Sequence, residues 1–168
     1  MVYTCEQIKR AETAAVEMGM NWLRLMENAG SAAAKEIRSS YQLEGKRIVI
    51  VCGKGNNGGD GYVIARKLLE NSAHIRVISV EPPTTDSAKE MLAKAVTLGI
   101  RPVDFGNYET LCCQYINDAD LIVDAIFGTG FSGAAGGIYA AAISAINYSS
   151  APVVAVDVPS GISGDKGT

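Results

Sequence analysis

Apolar residues recur along this chain with two periods, and the places where one gives way to the other divide it into elements. From Glu6 to Glu17, Ile8, Ala11, Ala15 and Met18 fall on one side of a helix that Gly19 ends. A second helix is predicted over Asn21 to Ser39, with Leu23, Met26, Gly30, Ala33 and Ile37 as its stripe. Lys46 to Cys52 then reads as a strand whose IVIV run is apolar throughout, as suits a central strand covered on both faces. Helix follows over Asp60 to Leu69, and strand over Ile75 to Val80, stopped by Pro82 and Pro83. Asp86 to Leu98 is the next helix, with Ala88, Met91, Leu92, Ala95 and Leu98 facing inward. A short strand over Ile100 to Val103, a helix over Tyr108 to Asn117 and a strand over Leu121 to Ile126 come next. An alanine-rich helix, Ile138 to Tyr148, and a strand, Val153 to Val158, complete the pattern. Two helices therefore precede a strict strand–helix alternation, which predicts one mostly parallel sheet with helices on both faces.

Composition narrows the function classes. The 168 residues suffice for one domain with a sizeable core, and no repeat or linker divides them. Hydrophobic residues make up 48%, charged residues 20%, and the net charge is -3 without any long Lys/Arg run. That balance argues against nucleic acid as a partner, and the apolar runs are strand-length, which argues against a membrane span. The N-terminus has no basic segment followed by an apolar one, so the expectation is a cytoplasmic protein, or a mitochondrial one if a targeting segment was removed. Four cysteines without a CxxC spacing fit a reducing compartment. The one histidine, His74, lies in a polar link before a strand and reads as structural or surface, so acid/base chemistry falls to carboxylates.

A parallel sheet brings the carboxyl ends of its strands to one edge, where ligands bind. Three unusual segments leave that edge: GKGNNGGDG (53–61), DAIFGTGFSGAAGG (124–137) and DVPSGISGD (157–165). The first contains GxGxxG at Gly53, Gly55 and Gly58, with Glu81 beyond the following strand, which read literally is a dinucleotide fingerprint. Asn56, Asn57 and Asp60 add polar groups that the fingerprint does not need, and no Lys-Ser/Thr pair follows to make a Walker A loop. The segment is expected to hold an anionic or nucleotide ligand through its N–H groups. In the second segment, Thr129 and Ser132 offer hydroxyls, and Gly128, Gly130 and Gly133 let a phosphate approach the backbone. Asp124 interrupts an apolar strand and Asp157 ends another, while Asp120 and Asp165 read as cap or turn residues. A buried carboxylate needs a partner, and no Lys or Arg adjoins Asp124 in sequence. It is read either as a cation ligand or as a structural cap. With the Asn57 amide, the Ser160 hydroxyl and backbone carbonyls it forms an all-oxygen set that suits a weakly hydrated cation better than zinc, copper or magnesium.

These motifs together carry a family resemblance. LMENAG (25–30), GKGNNGGDG (53–61), DAIFGTG (124–130) and VDVPSG (156–161) resemble the NAD(P)H-hydrate epimerase family, also called the YjeF N-terminal domain, in order along nearly the whole chain. The resemblance implies a Rossmann-like three-layer α/β/α sandwich over residues 1–168, with two extra N-terminal helices, in a family whose domains continue for several more strands and helices. It implies an isomerase that interconverts the R and S forms of hydrated NADH and NADPH at C6 of the nicotinamide ring. It assigns substrate contacts to Asn56, Asn57, Gly58, Gly59, Asp60, Gly128, Thr129, Gly130, Phe131, Ser132, Gly133, Ala134 and Asp157. It makes Asp157 the acid/base candidate and gives a potassium ion to Asn57, Asp124 and Ser160. It also implies a homodimer joined through the first helices, and a separate or fused dehydratase as partner. Two alternatives stand beside it. An NAD(P)-dependent oxidoreductase fits the glycine pattern, although no Tyr-x-x-x-Lys relay accompanies Tyr62, Tyr139 or Tyr148. A non-catalytic nucleotide-binding scaffold of the same fold fits the apolar first helices.

Overall fold

Five parallel strands lie in the order β3-β2-β1-β4-β5 in the computed structural model, which describes residues 4–71 and 73–164. The strands are β1 (Arg47–Cys52), β2 (His74–Ser79), β3 (Val103–Asp104), β4 (Leu121–Ala125) and β5 (Val153–Ala155). The helices are α1 (Cys5–Glu17), α2 (Trp22–Ser40), α3 (Asn56–Leu68), α4 (Asp86–Thr97), α5 (Glu109–Asn117) and α6 (Gly137–Tyr148). β1 is central, flanked by β2 and β4, and its side chains alternate between two cores. Ile48, Ile50 and Cys52 join Met26, Ile37, Tyr62, Ile64 and Met91 from α2, α3 and α4. Val49 and Val51 join Phe105, Cys112, Ile116 and Ala142 on the side of α5 and α6. This is the expected three-layer arrangement, and it explains why IVIV is apolar at every position.

Local chemistry starts the helices. Thr4 and Gln7 form a reciprocal capping box at α1, the Asn21 side chain accepts the Leu23 N–H at α2, and Thr85 accepts the Ala88 N–H at α4. The LMENAG stretch locks α2 against α3. A Cβ on Gly30 would lie 2.5 Å from the Cβ of Val63 and 2.9 Å from the carbonyl oxygen of Asp60. Glu27 from the same stretch accepts Arg66 at 2.6 Å and Lys67 at 3.0 Å. Burial opposes its ionisation, but those bonds outweigh burial and hold its carboxyl below the usual value.

Several elements differ from the expectation. The predicted apolar side of α1 is not covered: Ile8 is 38% exposed and Met18 89%. Leu98, expected to face inward, is 58% exposed, because α4 ends at Thr97 and Leu98 is its cap. β5 ends at Ala155, three residues early, and a series of bends carries Val156 to Val158 away from the sheet. The third strand is Val103–Asp104 rather than 100–103. The largest change is α3, which starts at Asn56 and not at Asp60, so Asn56 to Gly59 form its first turn instead of a loop. Glycine is a poor helix residue, but here close packing demands it: a Cβ on Gly58 would overlap the Gly53 carbonyl, and one on Gly59 the Met26 sulfur.

Candidate functional site

The three segments meet at the carboxyl end of the sheet, and Asp124 is where they are tied. It occupies the fourth position of β4 and is 4% exposed. Its Oδ1 accepts the Ile126 N–H at 3.1 Å and the Ser160 hydroxyl at 2.6 Å, and its Oδ2 accepts the Ser160 N–H at 2.8 Å. The Ser160 hydroxyl in turn accepts the Phe127 N–H at 2.9 Å. Asn57, in the first turn of α3, donates its side-chain N–H to the Phe127 carbonyl at 2.9 Å. Residues from β4, from the turn after β5 and from α3 thus surround one short stretch of backbone, 126–128.

Asp157 stands beside that stretch. Its Oδ2 accepts the Thr129 N–H at 2.6 Å. A Cβ on Gly128 would meet the same oxygen at 2.7 Å and the Asn57 side chain at 3.6 Å, so Gly128 is the spacer that lets both side chains approach. Asp157 is exposed, while Asp60, one turn into α3, is partly buried. The Asp60 Oδ1 is closed to solvent and has no hydrogen-bond partner. Burial, and then the negative charges of Glu12 and Asp157, push its carboxyl from the usual 3.8 up to about 7. Burial and Asp157 likewise raise Glu12 on α1. A carboxyl that is part protonated near neutrality, beside a second carboxyl, can give and take protons.

The opposite flank is aromatic. The Phe127 and Phe131 rings stack with centroids 4.2 Å apart, and Tyr139 lies 4.8 Å from Phe127. The Lys54 ammonium sits 5.7 Å over the Tyr139 ring and 3.0 Å from Glu81, so the acid beyond β2 is already engaged by a lysine.

A family model described as YjeF-related protein N-terminus matches residues 23–168. The chain belongs to that family. Relatives agree: it is 37% identical over 167 residues to an NAD(P)H-hydrate epimerase of Limosilactobacillus reuteri, covering 99% of this chain and 76% of that protein. It is 40% identical over 160 residues to an NAD(P)H-hydrate epimerase of Pirellula staleyi, covering 93% and 70%. It is 41% identical over 155 residues to a bifunctional NAD(P)H-hydrate repair enzyme of Moorella thermoacetica, covering 85% of this chain and 28% of that larger protein. The crystal structure of yeast YNL200c superposes with a TM-score of 0.85 at 26% identity, covering 99% of this chain and 73% of that one.

Within this YjeF-related fold the expected site residues have distinct placements. Asn57, Asp124, Gly128, Thr129, Asp157 and Ser160 are brought together. Gly58 and Gly59 are buried and pack against the Gly53 carbonyl and Met26, while Asn56 is exposed at the start of α3. Phe131 belongs to the aromatic flank. Gly130, Ser132, Gly133 and Ala134 are exposed. Asp120 pairs with Arg47 at 3.2 Å, as a structural residue would, and Asp165 lies outside the described residues. His74 is exposed at the start of β2. Tyr62 is core, with its hydroxyl 3.3 Å from Ser79, and Tyr148 is exposed. Sequence reasoning missed Glu12 and the Phe127 carbonyl. Glu12 has no local signal. The carbonyl is reached only because Asn57 lies in the first turn of α3.

Proposed function

We propose that this chain is an NAD(P)H-hydrate epimerase, interconverting the R and S epimers of hydrated NADH and NADPH. The observation that carries the reading is Asp157, whose carboxylate accepts the Thr129 N–H at 2.6 Å beside the spacer Gly128, within a YjeF-related fold whose relatives bear that activity's name. The C6 carbon of the substrate holds a hydroxyl and the ring nitrogen N1. A protonated carboxyl gives its proton to the C6 hydroxyl, the C6–O bond breaks, and water leaves as the N1 lone pair closes an iminium double bond. Water then adds to C6 from the other face and yields a proton to a carboxylate. Because the epimers carry the hydroxyl on opposite faces, one group must donate and another accept. Asp157 is the acid/base residue, and Asp60, part protonated near neutral pH, is its counterpart.

The free N–H groups at the start of α3 and those of the second segment suit the diphosphate. Asn56, Asn57, Gly58, Gly59, Asp60 and Gly128 to Ala134 would line the dinucleotide, with the Phe127, Phe131 and Tyr139 rings as an apolar wall.

Asn57, Asp124 and Ser160 would hold a potassium ion. The donor set supports this: one buried carboxylate, one hydroxyl, one amide and the Phe127 carbonyl, with no ion pair to Lys or Arg at Asp124 among the described residues. A single formal charge amid neutral oxygens fits a weakly hydrated monovalent cation. When bound, such an ion supplies fixed positive charge that orders the backbone at 126–128 and balances Asp124.

Exposed Ile8 and Trp22 on the first two helices, with Met18 and Met20 in the link between them, support a homodimer joined there. A dehydratase acting on the same hydrate is the expected functional partner, and the bifunctional repair relative from Moorella thermoacetica supports that link. The test is to supply the R epimer alone and follow both epimers by chromatography. An epimerase drives either pure epimer to the same final ratio, and spontaneous rates with and without protein would reject the reading.

A further inference from the structure

We propose that Lys54 and Glu81, side by side beyond the ends of β1 and β2, set the balance between the phosphorylated and the unphosphorylated adenosine ribose of the hydrated dinucleotide. This rests on the epimerase reading and extends it to the end of the substrate farthest from the reacting ring.

Topology says where that ribose would lie. In an open parallel sheet, a dinucleotide whose diphosphate rests on a glycine turn after one strand lays its adenosine ribose over the end of the neighbouring strand, where an acid takes the 2′-hydroxyl. Both parts are present. α3 begins at Asn56, directly after Gly55, and a Cβ on Gly58 would overlap the Gly53 carbonyl, so the turn is as tight as that role needs. β2 runs beside β1 and ends at Ser79, and Glu81 follows it. Hydrogen bonds fix the backbone of both residues. The Ser79 hydroxyl donates to the Glu81 carbonyl at 2.9 Å and lies 3.3 Å from the hydroxyl of buried Tyr62. The Lys54 carbonyl accepts the Thr84 N–H at 2.8 Å and the Thr84 hydroxyl at 3.2 Å, which ties the glycine segment to the segment after β2.

An acid that stands alone at this place binds the ribose diol and repels a 2′-phosphate. Here it does not stand alone. The Lys54 ammonium is 3.0 Å from the Glu81 carboxylate and 5.7 Å over the ring of Tyr139, which α6 brings in from beyond β4. The Tyr139 hydroxyl is closed to solvent. With Lys54 it helps to hold the Glu81 carboxyl below its usual value, yet it completes no hydrogen bond, so its donor is left for a ligand oxygen. Both charged side chains are partly exposed, and exposed ion pairs contribute little to folding, so stability does not account for the pairing. The two charges act on the ribose in opposite senses. The carboxylate accepts a 2′-hydroxyl and opposes a phosphate there. The ammonium, on a long flexible stem between Gly53 and Gly55, turns from Glu81 to a phosphate when one is present. The pair therefore tolerates both forms, and each member favours one of them.

ADP-ribose and 2′-phospho-ADP-ribose carry this end of the substrate without the nicotinamide ring. Their dissociation constants, measured by calorimetry at one fixed salt concentration, read the pair without turnover. Wild type should bind the two within about fivefold of each other. Glu81→Gln should move the ratio by at least about fivefold towards the phosphorylated ligand, and Lys54→Gln by at least about fivefold towards the unphosphorylated one. Lys54→Arg, which keeps the charge, should stay within about twofold of the wild-type ratio. A merely structural role would weaken both ligands alike and could not produce shifts of opposite sign. Shifts of the same sign, a ratio that neither variant moves, a strong wild-type preference for either ligand, or no binding of either overturns the proposal. Melting temperatures close to wild type are expected in all three variants, since both side chains are partly exposed. The epimerase reading is judged separately by R-epimer turnover: opposite shifts in a protein that never epimerises would reject that reading and keep the role of the pair.

Discussion

Ser160 binds Asp124 twice, its N–H at 2.8 Å from one carboxylate oxygen and its hydroxyl at 2.6 Å from the other. A residue beyond the last strand is thereby fixed to the middle of the sheet, and Phe127 is fixed to both through the same hydroxyl. Removing the carboxylate strands three buried or part-buried donors at once. Asp124→Ala should cost about 3 kcal/mol or more of unfolding free energy, and Ser160→Ala about 2 kcal/mol, both read as shifts in the urea midpoint. A change below about 0.5 kcal/mol for Asp124→Ala would show that the hub is not structural.

The same carboxylate tests the cation. Titration of the wild type with potassium chloride in a calorimeter should give saturable heat that sodium reproduces only weakly, and Asp124→Ala should abolish it. Equal, featureless heats for both salts in the wild type would remove potassium from the account.

Gly128 separates Asp157 from Asn57. Gly128→Ala leaves the core untouched but puts a methyl 2.7 Å from the Asp157 oxygen, so that carboxylate must move. The variant should melt close to wild type and epimerise about 10- to 100-fold more slowly, as expected for a reacting group displaced by about 1 Å. Full activity would mean that the position of Asp157 does not matter.

How much of this could be read from sequence depends on the residue. The central strand was legible because burial on both faces leaves an unbroken apolar run, and Asp124 stood out against such a run. That the three segments share one sheet edge followed from parallel topology alone. The start of α3 was not legible: glycine and asparagine disfavour helix in isolation, and only the nearness of the Gly53 carbonyl and Met26 explains why glycines occupy that first turn. β5 was read too long because valines continue past Ala155, whereas Val156 makes one last bond, to the Asp124 carbonyl, before the chain turns. Glu12 was invisible because its neighbours in space come from elements more than forty residues away. Stability against pH follows from those neighbours.

Asp60 keeps its proton up to about pH 7 when folded, whereas the unfolded chain releases it near 3.8. Between those values the folded state binds the extra proton, so this group's contribution falls as pH rises from about 4 to about 7 and is flat above. Glu12 adds in the same sense, and the ionisable groups facing Asp60 are Glu12, Asp157 and the Cys52 thiol. Asp60→Asn removes the titration. Its stability relative to wild type should therefore improve from about pH 4 to about pH 7 and level off above, in urea unfolding series. A difference that stays constant across that range would place Asp60 in an ordinary solvated environment.

The most direct trial of the whole account is the rate at which purified R-epimer of hydrated NADH becomes the S-epimer, wild type against Asp157→Asn. Rapid interconversion that drops by about 100-fold or more in the variant, with the fold retained, is the predicted result. Undiminished interconversion in Asp157→Asn would contradict it.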